Sequence, residues 1–191
     1  MTLQNWIEKV SVLDADAMAA ARERQAQLAK PPGSLGRLED LSVQLAGITG
    51  KVYNTVKKQH LLVFAADNGV VEEGVSSAPQ SVTLMQTINL TRAKTGASVL
   101  CRHFGCGITV CDVGVNADIR CDAVLNRKIA YGTQNIVNGP AMTRDQLFAA
   151  MYEGIRLVEE RNAQGAGLLI AGEMGIGNTT SSSAVLPARS P

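Results

Sequence analysis

The stretch Gly167-Leu168-Leu169-Ile170-Ala171-Gly172-Glu173-Met174-Gly175-Ile176-Gly177-Asn178-Thr179-Thr180 decides the fold. Its opening, Gly167 to Ala171, is a short apolar run and reads as a buried strand. Gly172, Gly175 and Gly177 follow, and Ser181 to Leu186 can open a helix. A strand, a glycine-rich turn and a helix start together make an anion site. Glycines admit close backbone approach, and free N–H groups at a helix N-terminus favour negative charge. Glu173 would repel a phosphate, so its carboxylate is expected to meet another part of the ligand. The glycine order is G-x-x-G-x-G rather than G-x-G-x-x-G, and no lysine follows as in a P-loop. That order weighs against a dinucleotide-binding oxidoreductase. The simpler reading of the same residues is an ordinary βα turn.

Two further strands precede this one. Leu61 to Ala66 is continuously apolar and stops at Asp67-Asn68-Gly69; Ile108 to Cys111 stops at Asp112-Val113-Gly114. Helical patterns lie between them. One runs through Val82, Met85 and Asn89, breaks near Thr95-Gly96 and continues to Phe104. Thr143 with Gln146 forms a capping box ahead of the stripe Leu147, Met151, Ile155 and Val158. Short strands are expected near Ala123 to Ala130. Strands alternating with helices predict an α/β fold with a Rossmann-like parallel sheet and flanking helices. Each strand ends in an acid, Asp67, Asp112 or Glu173, where parallel sheets bind ligands. Three carboxylates could share that crevice, or each could cap its own turn.

The N-terminal 50 residues differ. A helix over 11–30, with Ser11 and Asp14 as a capping box, ends at Pro31-Pro32-Gly33. Ser34 can cap a second helix with Leu35, Leu38, Leu41, Leu45 and Ile48 on one face, closed by Gly50. No strand separates these helices. Residues 1–50 are therefore expected to form the helical part of a smaller domain, and 51–191 the α/β domain.

With 46% hydrophobic and 18% charged residues, the chain has material for a substantial core. A net charge of +1 gives no electrostatic case for nucleic acid or an anionic membrane. The start Met1 to Val10 lacks the basic and apolar regions of a secretory signal, and no apolar run is long enough to span a bilayer. A cytoplasmic protein is expected. Cys101, Cys106, Cys111 and Cys121 have no C-x-x-C spacing and read as buried or half-buried free thiols, and no metal site is expected.

Five separated motifs resemble one family. They are Lys30 to Glu39 (KPPGSLGRLE), Ala66-Asp67-Asn68-Gly69-Val70 with Glu73-Gly74-Val75, Asp112-Val113-Gly114, Gly139-Pro140-Ala141-Met142 and Gly172 to Thr180. In this order they resemble nicotinate-nucleotide–dimethylbenzimidazole phosphoribosyltransferase, of the lower-ligand branch of cobalamin synthesis. The resemblance implies transfer of ribose 5-phosphate from nicotinate mononucleotide to 5,6-dimethylbenzimidazole, giving α-ribazole 5′-phosphate and nicotinate. It implies no cofactor and a homodimer. It places Glu173, Gly175, Ile176, Gly177, Asn178 and Thr179 at the ribose-phosphate site, and Ala78, Pro79 and Gln86 at the benzimidazole wall. Where some members have serine before that proline, this chain has Ala78, which removes a hydroxyl contact to the base. The family's general-base glutamate lies near its C-terminus, so no residue here takes that role by position; Glu173 is the remaining candidate. The resemblance also implies a C-terminally truncated chain, with Pro187 interrupting its last helix and the strand at Gly167 to Ala171 left as an apolar edge. The alternative is a non-catalytic or split subunit that binds a nucleotide phosphate.

Overall fold

The computed structural model describes residues 3–188, which form two compact units, one up to Val56 and one from Lys57 onward. The first unit holds α1 (Leu3–Ile7), α2 (Ala15–Gln27) and α3 (Arg37–Thr49). Asp14 caps α2, its Oδ1 accepting from the Ala17 N–H at 2.9 Å. The helix therefore starts at Ala15, three residues later than a Ser11 cap would place it. Ser34 does not cap α3 either: the cap position is Gly36, at φ +53°. Glu39 reaches back from the first turn instead, accepting from the Leu35 N–H at 3.1 Å and from Lys30 Nζ at 2.7 Å. Gly50 ends the helix in the left-handed conformation, φ +66°.

The core of this unit is Ala21, Val43 and Ala46, backed by Ala17, Met18 and Val52. The leucine stripe is not the packed face. Leu35, Leu38, Leu41 and Ile48 are exposed. Helix α3 meets α2 through Val43, Ala46 and Gly47, and the Met18 side chain occupies the space beside Gly47, with Sδ 2.7 Å from where a Cβ would stand.

The second unit is a four-stranded sheet in the order β3-β2-β1-β4, with β1 (Gln59–Ala66), β2 (Gly107–Gly114), β3 (Val124–Asn126) and β4 (Leu168–Met174). Every pairing is parallel. The expected α/β fold is therefore present. Side chains alternate across β1. Leu61 and Val63 pack towards Leu90 of α4 (Ser81–Thr91) and Cys101 of α5 (Gly96–Phe104), while Leu62 packs with Cys111 and with Leu157 of α6 (Arg144–Ala163) on the other face. The break at Thr95 is a capping box: Thr95 Oγ1 accepts from the Ser98 N–H while Ser98 Oγ accepts from the Thr95 N–H. The Thr143–Gln146 capping box is also present.

Helix α6 meets the sheet through Leu157 rather than the expected stripe; Leu147, Met151 and Val158 are exposed. Charge accompanies this orientation. Arg127, just past β3, lies 3.5 Å from Glu153 and 4.0 Å from Glu160, and these glutamates flank Leu157 on one helix face. Leu157→Ala is expected to lower stability by about 2–5 kcal/mol through lost burial and a cavity. Urea unfolding would show a lower midpoint with an unchanged m-value.

Strand β4 forms one edge of the sheet, with Leu168 and Ile170 exposed. Helix α7 spans Asn178–Ala188, so Pro187 lies within it instead of interrupting it. Among the described residues, no helix is long and apolar enough to cross a membrane.

Candidate active site

The carboxyl ends of the strands carry all three acids, and the structure gives them different tasks. Asp112 is buried. Its Oδ1 accepts from the Gly114 N–H at 3.1 Å and the Val115 N–H at 2.8 Å, and its Oδ2 pairs with Lys128 Nζ at 2.8 Å. Asp67, also buried, accepts from the Asn116 N–H through Oδ2 at 2.7 Å. Its main chain donates to Gly114 O and accepts from the Thr133 N–H. These two carboxylates fasten loops, as acids at strand ends commonly do. Glu173 alone is exposed, and it accepts from the Asn178 side-chain amide.

Asn68 is the residue that composition and spacing do not reveal. Its Nδ2 donates to Ile176 O at 3.4 Å, and its Oδ1 accepts from Ser181 Oγ at 2.9 Å. One side chain just past β1 therefore holds both the loop that follows β4 and the first turn of α7. Thr83, buried in α4, accepts from the Ile176 N–H at 3.0 Å. The glycines divide their work. A Cβ on Gly175 would lie 2.0 Å from Ala66 O and 2.9 Å from Asn68 Nδ2, so this glycine lets the loop seat against β1. Gly177 has φ +84°, a conformation that side chains other than glycine rarely adopt. It turns the chain into α7, whose first turn carries no acid.

Glu173 thus lies at the end of β4, Gly175, Ile176 and Gly177 form the loop, and Asn178 and Thr179 open α7. Gln86 lies on α4, one turn beyond Thr83, and accepts from Asn89 Nδ2 at 3.4 Å. The hydrogen bond from Ile176 to Thr83 brings this helix to the loop. Ala78 and Pro79 lie just before α4; the Ala78 N–H donates to Ser76 Oγ at 3.2 Å, which engages that hydroxyl locally. Among the described residues, no hydrogen bond joins Ala78 or Pro79 to the glycine loop. The acid ends of β1 and β2 were legible, but the Asn68 latch was not: Asp67-Asn68-Gly69 looks like any turn after a strand.

No cluster of His, Cys, Asp or Glu among the described residues could hold a metal ion. The cysteines are free thiols. Burial, assisted by the nearby Glu153 charge, pushes Cys111 up to about 12, so it stays protonated and a poor nucleophile.

A family model described as Phosphoribosyltransferase matches residues 10–190. The chain is 50% identical over 185 residues to the nicotinate-nucleotide–dimethylbenzimidazole phosphoribosyltransferase of Ruminiclostridium cellulolyticum, covering 97% of this chain and 53% of that protein. It is 47% identical to the protein of the same name from Clostridium acetobutylicum, with the same coverage of each. Among solved structures, the nicotinate-nucleotide–dimethylbenzimidazole phosphoribosyltransferase of Thermus thermophilus superposes with a TM-score of 0.87 at 40% identity, over 92% of this chain and 54% of that one. The chain spans about half the length of the curated relatives it matches. The matched span takes in every element from α2 to α7, and the chain belongs to the phosphoribosyltransferase family.

Proposed function

We propose that this chain carries the nucleotide side of a ribose-phosphate transfer from nicotinate mononucleotide to 5,6-dimethylbenzimidazole, in cobalamin synthesis. The observation that carries this reading is the latched loop Gly175 to Thr179 at the start of α7, in a sequence half identical to relatives of that name. In the reaction a benzimidazole nitrogen donates its lone pair to the anomeric carbon. The carbon–nitrogen bond to nicotinate breaks, its electron pair neutralises the pyridinium nitrogen, and the proton on the other base nitrogen departs. The phosphate sits at the helix N-terminus, where N–H groups and the helix dipole favour it. Glu173 lies beside the ribose, where a carboxylate stabilises positive charge developing at the anomeric carbon. Gln86 contributes to the wall of the base pocket, with Ala78 and Pro79 at its rim. Residues 1–50 supply helices of the smaller domain. The protein works in the cytoplasm as a homodimer, without nucleic acid; the exposed apolar residues of α6 suit a surface buried in an assembly.

A second reading is that this chain binds the nucleotide without turning it over. The engagement of the Glu173 carboxylate by the Asn178 amide favours it, because a side chain so held is less free to turn towards an incoming base.

The test is nicotinate mononucleotide binding and base-dependent nicotinate release by the purified 191-residue chain. Binding with release supports transfer; binding without release supports the second reading; a folded sample that does not bind overturns both. If release occurs, Glu173→Gln is expected to slow it about tenfold or more while binding changes little, the scale expected when a transition state is deprived of one charged partner.

A further inference from the structure

The amino ends of the strands hold a second polar site, remote from the glycine loop. A cavity of about 260 Å³ is lined by Lys58, Gln59, His60, Arg161, Gln164 and neighbouring small residues. No acid lines it. Lys58 is a non-glycine residue at φ +52°, held there because Lys57 O and Lys58 O both accept from the Gly167 N–H, at 3.1 and 3.3 Å. That backbone sets the Lys58 ammonium against the turn that follows Arg161: Nζ stands 3.2 Å from where a Cβ on Gly165 would be. Lys58 makes no ion pair among the described residues. Arg161 has one acid, Glu160, at 3.6 Å, and Glu160 is shared with Arg127 and Arg156. The buried Arg161 Nε has no hydrogen-bond partner. His60 forms the wall, with Nε2 2.8 Å from Thr109 Oγ1 and its ring over the bare Cα of Gly107.

We propose that this cavity is an oxyanion site, in which Lys58 Nζ and the Arg161 guanidinium take a phosphate group. Two cations converge on one cavity without a lining carboxylate, and mutual repulsion of such charges is relieved by an anion between them. Arg161 offers planar paired donors suited to phosphate, and Lys58 a point charge. The field is already felt at His60, whose proton affinity is lowered by burial and then by the Arg161 charge. An anion in the cavity cancels that charge and raises it again. Strand β1 separates this site from the glycine loop. Its 8 residues place the two roughly 25 Å apart, at about 3.3 Å per residue.

The test is a titration of the histidines in the 191-residue chain by NMR, with inorganic phosphate against chloride at equal ionic strength. The chain has 2 histidines, and His103, at the end of α5, is the internal control. Phosphate is expected to raise the His60 pKa by about 0.5 or more, saturably, and to leave His103 unmoved. Lys58→Gly, which keeps the left-handed backbone, and Arg161→Gln are each expected to weaken phosphate binding at least about fivefold. A His60 pKa that does not respond, that moves only as His103 does, or that responds in both variants as strongly as in the wild type overturns the site. Gly177→Val separates this proposal from the nucleotide reading. Loss of the His60 response in that variant would mean that phosphate acts from the loop, and would overturn the proposal. Persistence of the response alongside lost nicotinate mononucleotide binding supports two independent sites.

Discussion

Gly175→Ala is expected to remove most nicotinate mononucleotide binding, although it adds a single methyl group. The added Cβ would stand 2.0 Å from the carbonyl oxygen of Ala66 and 2.9 Å from Asn68 Nδ2. Neither neighbour can yield cheaply. Ala66 ends the central strand β1, and the Asn68 amide is the latch on Ile176 and Ser181. Overpacking of this kind costs about 1–3 kcal/mol or more, and the upper end applies where the obstacle is backbone. If the loop moves to relieve the clash, affinity falls on the order of 100-fold, since each 1.4 kcal/mol is about tenfold. Gly177→Ala supplies the contrast. Its nearest neighbours would be 3.4–3.6 Å away, so space is available and only the φ of +84° is penalised. That penalty is about 1–2 kcal/mol. Isothermal titration with nicotinate mononucleotide should rank wild type above Gly177→Ala and Gly177→Ala above Gly175→Ala. Equal affinity for wild type and Gly175→Ala would show that the loop does not form the phosphate site.

That ranking was not legible in the sequence, where both glycines looked like points of ligand approach. What local chemistry controls was legible. The apolar runs pointed to β1, β2 and β4; Thr143 with Gln146 marked the start of α6; Gly50 marked the end of α3. What depends on partners was hidden. The largest apolar residues of α3 and α6 suggested their buried faces, yet the core uses Val43, Ala46 and Leu157. On α3, the face that meets α2 carries Val43, Ala46 and Gly47; on α6, the face that bears Leu157 also bears Glu153 and Glu160, opposite Arg127. Strand order is likewise absent from any local pattern, and with it the fact that β1 lies beside β4. Only that adjacency lets Asn68 reach Ile176 across 108 residues of chain.

Asp112 reads in the sequence as a candidate ligand-facing acid, but its burial and its pairing with Lys128 make it a structural group. Its side chain is only 1% exposed and that of Lys128 11%, with 2.8 Å between Oδ2 and Nζ. Lys128 also donates to Val115 O. The pair closes a turn whose Gly114 carbonyl accepts from the N–H groups of both Asp67 and Gly132. It therefore underlies the strand end from which Asn68 projects. Lys128→Met keeps much of the side-chain length and removes the charge, leaving a buried carboxylate with its backbone donors alone. Breaking one side of a buried pair typically destabilises by about 3–5 kcal/mol, because the remaining charge stays desolvated. The double variant Asp112→Asn with Lys128→Met removes that charge and keeps an acceptor for Gly114 and Val115. It should recover much of the loss, since replacing both partners of a buried pair is often near neutral. Urea unfolding of the single and double variants measures this directly. A single-variant loss below about 1 kcal/mol, the scale of a solvated surface pair, would mean that water reaches Asp112 once the ammonium is gone. The turn would then be held by the two backbone N–H bonds rather than by the ion pair.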